Sequence, residues 1–163
     1  MERVELPGGQ VTQLEILRHP GAAAIVPLTG QGEVVLIRQY RHAADDYLWE
    51  VPAGTRDGDE APLACARREL TEETGLTASE WTELGAMLPA PGYASERIHL
   101  FLARGLETAA QSLDEDEVIT EVRAVPVEEA MRWVADGTIV DGKTAVALCR
   151  ANERGLLPRR STT

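Results

Sequence analysis

The stretch "GTRDGDEAPLACARRELTEETGL", residues 54–76, decides how the rest of the chain is read. Within it, "RRELTEETG" (67–75) puts Glu69, Glu72 and Glu73 on a segment whose apolar residues recur at helical spacing. Like charges three and four positions apart on a helix repel. Glu72 and Glu73 also fall toward the negative end of the helix, where a carboxylate is disfavoured. At about 100° per residue, with Glu69 at zero, Leu63 and Leu70 lie near ~110°, Glu73 near ~40° and Glu72 near ~−60°. The acids thus wall the apolar stripe, and their oxygens can converge on one volume beside the core. Arg68 precedes Glu72 by one helical turn and can pair with it.

Two readings compete. Charge runs are usually solvated faces. A hard divalent cation, by contrast, resolves the mutual repulsion, the unfavourable dipole end and the position beside the apolar stripe together. Magnesium takes oxygen ligands, keeps waters and often shares its site with substrate phosphates. The spacing favours the cation. Gly54 adds to this, because a glycine permits backbone geometry that other residues resist. The loop "GTRDGDE" can then fold back so that the main-chain carbonyl of Ala53 faces the carboxylates.

The flanking sequence bounds the alternatives. At 163 residues the chain fits one domain, 1–163, with a core of its own. Aromatics make up only 4%, so that core leans on Val, Leu, Ile and Ala. A formal charge of −11 argues against an electrostatic grip on nucleic acid. It leaves room for a small phosphorylated substrate, since a metal ion reverses the local field. Cys65 and Cys149 show no metal-type spacing and read as two buried free thiols in a reducing compartment. With no apolar leader and no run long enough to span a bilayer, no membrane partner and a cytoplasmic location are expected.

Strand signals dominate the first half: "QVTQLEILRH" (10–19), "AAAIVPL" (22–28), "EVVLIRQYR" (33–41) and "YLWEVPAG" (47–54). Two more follow, "RIHLFLARGL" (97–106) and "VITEVRAVPV" (118–127). Helices are predicted over 60–74, with Asp59 as cap and Gly75 as stop, over 127–137, and over 143–155. Helices set between and after strands indicate an α+β or layered α/β/α domain rather than a doubly wound parallel sheet.

Gly54, Glu60, Arg68, Glu69, Leu70, Glu72, Glu73, Gly75 and Leu76 together resemble the signature of the Nudix hydrolases, G-x5-E-x7-R-E-U-x-E-E-x-G-U, with U a bulky aliphatic. The resemblance implies a Nudix fold: an α/β/α sandwich with a mixed central sheet and helices on both faces. It implies hydrolysis of a nucleoside diphosphate linked to another moiety, with Mg²⁺ as cofactor and Mn²⁺ as substitute. Glu69 and Glu73 are then metal ligands, Glu72 is a further ligand or acts through bound water, and the Ala53 carbonyl is another ligand. Arg68 holds a carboxylate in orientation, and Glu60 supports the loop.

Two further stretches resemble the ADP-ribose pyrophosphatase branch: "LPAPGYASERIHLFLA" (88–103), with Pro91 after the box, and "RQYRHAADDYLWEVPAG" (38–54). The branch implies ADP-ribose cleaved to AMP and ribose 5-phosphate. GDP-mannose, FAD, NADH and dinucleoside polyphosphates remain alternative substrates, and a non-catalytic nucleotide-sugar sensor a further one. In "LDEDEVIT" (113–120), Glu115 is the expected general base and Glu117 an expected metal contact, the two being exchangeable. Arg41 and Arg56 are candidates for the diphosphate, and Glu96 for ribose or a metal-bound water. Tyr40, Tyr47 and Trp49 could stack on adenine or fill the core. A homodimer is expected, with residues 1–20 as a short N-terminal β segment at its interface.

Overall fold

The computed structural model describes residues 1–110 and 118–158. Glu115 and Glu117 lie outside these residues.

The chain opens with a hairpin of β1 (Glu2–Glu5) and β2 (Val11–Leu14). The centre is a mixed four-stranded sheet in the order β6 (Ala53–Thr55), β3 (Ala22–Pro27), β8 (Ile98–Thr108), β7 (Leu76–Met87). β3 runs parallel to β8, while the β3–β6 and β7–β8 pairs are antiparallel. Every residue of β3 is buried, as its continuous apolar run requires of a strand covered on both faces.

Its alternation feeds two cores. Ala23 and Ile25 join Phe101 and Ala103 of β8 against Cys65, Ala66 and Leu70 of α1 (Pro62–Thr74). Ala22, Ala24 and Val26 face the larger core with Leu100 and Leu102. That core is closed by an antiparallel sheet, β5 (Asp46–Glu50), β4 (Glu33–Arg41), β9 (Ile119–Pro126), together with α2 (Val127–Asp136) and α3 (Gly142–Glu153). The expected mixed sheet with helices on both faces is present, and the second layer carries a sheet of its own as well. No helix of the described residues is long and apolar enough to cross a membrane.

Several local expectations change. "YLWEVPAG" is two strands in two different sheets, broken at Val51–Pro52. Proline cannot donate to a ladder, and the break swings Ala53 onto β3. Only 11–14 of the 10–19 stretch is strand. Asp59 does not cap α1. Ala61 holds that position in an extended conformation without a side-chain bond, and Pro62 opens the helix. Gly75 ends it as expected, in the left-handed region at φ 68°.

β7 is the strand the sequence concealed. It lies at the edge of the sheet and alternates half-buried with polar, exposed positions, so it has no apolar run to reveal it. Cys65 is buried but Cys149 is exposed on α3. Trp49 packs against the larger core near Trp133, with ring centroids 5.4 Å apart. Tyr40 and Tyr47 stack on one another at 5.2 Å.

Leu70, fully buried between α1 and β3, tests the packing. Leu70→Ala is expected to lower the unfolding free energy by about 2–5 kcal/mol through lost transfer energy and a residual cavity, measured by urea denaturation. A change under about 0.5 kcal/mol would mean that α1 is not docked as described.

Candidate active site

Two of the four acids in the box, Glu69 and Glu73, do not face bulk water. Glu73 is fully buried and Glu69 is 5% exposed, while Glu72 is half-buried. A solvated acidic face is therefore excluded for Glu69 and Glu73. Burying a carboxylate is costly unless it is paired and hydrogen-bonded, and the partners are specific.

Arg68 is the hub. Its Nη1 donates to Glu69 Oε1 at 2.7 Å and to Glu72 Oε2 at 2.8 Å. Its Nε and Nη2 reach the two Glu60 oxygens at 3.2 and 3.0 Å, and Nη2 also donates to the Thr55 carbonyl at 3.0 Å. The planar five-donor guanidinium suits this many acceptors. The Arg68 pKa is raised accordingly, first by its bond to Glu60. The same bond holds the Glu60 carboxyl below its usual range. Glu60 Oε2 also accepts from the Asp57 N–H at 3.2 Å, so the loop and the helix are bolted to one side chain.

Glu73 is fixed differently. Its Oε2 accepts the Ala53 N–H at 2.8 Å, tying the end of α1 to β6. Between them lies Gly54. A Cβ built there would stand 2.0 Å from Glu69 Oε1. Glycine is thus needed at this point to make room for a carboxylate. Gly54 does not have a positive φ, so special backbone geometry is not the reason. Beside them, burial, followed by the Glu69 charge, pushes the Cys65 thiol up to about 12. Cys65 is an inert packing residue.

Among the described residues, no group of three His, Cys, Asp or Glu side chains is set as a cation cage. The carboxylates converge on Arg68 and Ala53 instead. Their chemistry nevertheless fits a hard divalent ion: oxygen donors only, three acids on adjoining helical turns, and a cradle beside Glu69 that a Cβ would fill.

Ala53, Gly54 and Thr55 also form one wall of a cleft of about 410 Å³, whose lining includes Arg41, Met87, Pro89, Glu96, Asp141 and Lys143. Arg41 and Glu96 therefore share one cleft with the strand that follows the Val51–Pro52 break. Glu96 lies 3.8 Å from His19 Nδ1. Arg56 does not line the cleft. Its guanidinium is engaged with main-chain carbonyls, Nε with Glu60 at 2.6 Å and Nη1 with Pro20 at 3.2 Å.

Sequence reasoning missed Glu50, Asp141 and Lys143. Glu50, 1% exposed, accepts Arg41 Nε at 2.8 Å and Nη2 at 2.7 Å and also pairs with Lys143 Nζ. Burial alone would raise its pKa. The Arg41 bonds and the Lys143 charge outweigh burial and leave it lowered. No local spacing signals a contact between positions 50 and 143.

The chain is similar to several known proteins. The family model for the NUDIX domain matches residues 17–148. The ADP-ribose pyrophosphatase of Bacillus subtilis (strain 168) is 40% identical over 91% of this chain and 80% of its own. The methanol dehydrogenase activator of Bacillus methanolicus is 38% identical over the same shares of the two chains, 91% and 80%. Among solved structures, the crystal structure of an ADP compounds hydrolase superposes with a TM-score of 0.78, covering 95% of this chain and 86% of that one. At 24% identity this is a likeness of fold.

Two outcomes follow from the geometry. Gly54→Ala is expected to cost about 1–3 kcal/mol by overpacking against Glu69. Adding Glu69→Ala should recover most of that loss in thermal melts, because the clash is removed. Glu50→Gln is expected to destabilise at pH 7, toward the low end of ~3–5 kcal/mol because Arg41 keeps access to water. The folded value of Glu50 lies below its ordinary 4.5. Its stabilisation is therefore complete above 4.5 and lost as pH falls through the folded value. The wild-type advantage over Glu50→Gln should shrink on that acid limb, and equal stability of the two at pH 7 would exclude the pairing.

Proposed function

The chain belongs to the Nudix hydrolase family, and from that premise we propose that it is a pyrophosphohydrolase of nucleoside diphosphate sugars whose preferred substrate is ADP-ribose, hydrolysed to AMP and ribose 5-phosphate. The observation that carries this is the burial of Glu69 and Glu73 beside a cleft, with Arg68 and Glu60 holding the box in place. The likeness to an ADP-ribose pyrophosphatase over most of both chains supports the substrate.

A divalent cation, Mg²⁺ with Mn²⁺ as substitute, would be held by Glu69, Glu72, Glu73, the Ala53 carbonyl and Glu117, and supplies neutralisation of the diphosphate and a lowered pKa for water. The chain's own residues do the rest by positioning. Arg68 fixes the facing oxygens of Glu69 and Glu72. Arg41 binds the diphosphate from the cleft wall, and Glu96 takes a ribose hydroxyl or a water. Arg56 holds the loop at Pro20 and Glu60 through Nε and Nη1, and Nη2 is the nitrogen we assign to the diphosphate. Glu115, or Glu117 in its place, accepts the proton of the attacking water. The working unit we propose is a cytoplasmic homodimer of single-domain chains. The exposed Leu6, Val11, Leu14 and Leu17 support residues 1–20 as its interface.

Turnover of a panel of ADP-ribose, GDP-mannose, FAD, NADH and dinucleoside polyphosphates, with and without Mg²⁺, tests the reaction. ADP-ribose should show the highest kcat/KM, and activity should vanish with a chelator. A clear preference for another member of the panel overturns the substrate, and binding without product overturns the enzyme. Glu73→Gln keeps an acceptor for the Ala53 N–H but removes the charge. It should cut kcat by roughly three powers of ten or more while the circular dichroism spectrum stays native. An unfolded variant would make the acid structural.

A further inference from the structure

Outside the box, one cluster of charged groups closes a circuit from the last helix to the cleft. Lys143, only 12% exposed, bonds Glu50 Oε2 and lies 3.1 Å from Asp141 Oδ2. Asp141 caps α3 by accepting the Thr144 N–H at 3.0 Å and the Thr144 hydroxyl at 2.5 Å. Thr144 Oγ1 in turn accepts the Val51 N–H at 2.9 Å. Val51 follows Glu50 and lies two residues before Ala53, whose N–H holds Glu73. On the other side, Glu50 holds Arg41 through two parallel bonds. The start of α3 thus bears on both a cation and a stretch of main chain that line the cleft.

We propose that Lys143 is a positioning residue for Arg41, acting through Glu50, so that the guanidinium is presented to the diphosphate of the substrate. This rests on the reading of Arg41 as a diphosphate ligand. Two of the five Arg41 N–H donors go to Glu50, and the half-exposed guanidinium forms part of the cleft lining. A buried carboxylate facing two cations is held at a fixed point between them. With Lys143 gone, Glu50 has Arg41 as its sole cation in this cluster, Asp141 loses its neighbour, and the carboxylate draws the guanidinium inward. The result is weaker ground-state binding with little change to the chemical step.

The first measurement needs no substrate. The Arg41 Nε–H resonance, assigned by its loss in Arg41→Lys, should be protected from water exchange in the wild type. It should exchange about tenfold slower in Lys143→Met, as the guanidinium is drawn inward, and keep the wild-type rate in Lys143→Arg. Unchanged exchange in Lys143→Met overturns the proposal. If circular dichroism shows Lys143→Met unfolded, Lys143→Gln takes its place under the same criterion.

The second measurement is a kinetic cycle with ADP-ribose and Mg²⁺. Lys143→Met should raise KM about tenfold and move kcat less than about threefold, with Lys143→Arg restoring KM. In an Arg41→Ala background the same change should add less than about twofold. Full multiplication of the two losses overturns the proposal, since Lys143 then touches substrate on its own. If the wild type hydrolyses no nucleotide sugar, the proposed function fails while the exchange measurement still decides the role of Lys143.

Discussion

Of the three carboxylates on neighbouring turns of one helix, two are held by a single guanidinium and the third by a main-chain N–H. Arg68 meets Glu69 and Glu72 through one nitrogen and Glu60 through two, and it ties the Thr55 carbonyl to the same point. Its partners come from the loop that enters the helix, from the helix itself and from the strand before it. Lysine, a point charge with three donors, could not serve this set of acceptors in one plane. The helix, the loop and β6 hold their relative positions around this contact, and so does the pair of buried acids that lies against the core.

The site is then assembled from both faces of the central sheet. α1 brings the acids from one side. β4, the 50–53 segment and the start of α3 bring Arg41, Glu50 and Lys143 from the other. β3 sits between, buried on both faces, and β6 is the short strand on which the two halves meet. The Val51–Pro52 break permits this. It ends one sheet at Glu50 and starts pairing in another at Ala53, so adjacent residues serve opposite halves. A continuous strand would have kept Glu50 and Ala53 in one sheet.

Much of the site was legible because its chemistry is local. Glu60, Arg68, Glu69, Glu72 and Glu73 lie within one loop and one helix, and their spacing states both the crowding and its relief. Arg41 and Glu96, read as candidates for the diphosphate and for ribose or a metal-bound water, line one cleft. Arg56 was read, with Arg41, as a candidate for the diphosphate. Whether its guanidinium would find phosphate or main-chain carbonyls depends on how close Pro20 comes, and that is set by the pairing of β3 with β6. The edge strand β7 escaped for a related reason: its burial comes from β8 and the helices, and its own pattern is too polar to show it.

What the sequence determined by itself was the helix, its acids, the family and the apolar strands, since each depends on residues within about two turns or one strand of each other. Burial of Glu69 and Glu73, the steric need for glycine at 54, and the Arg41–Glu50–Lys143 circuit were decided by the tertiary structure alone. Burial depends on what covers a surface, and ion pairing in a low-dielectric setting depends on which distant charges the topology brings together. Position 50 and position 143 carry no mark of one another until α3 docks against the end of β5.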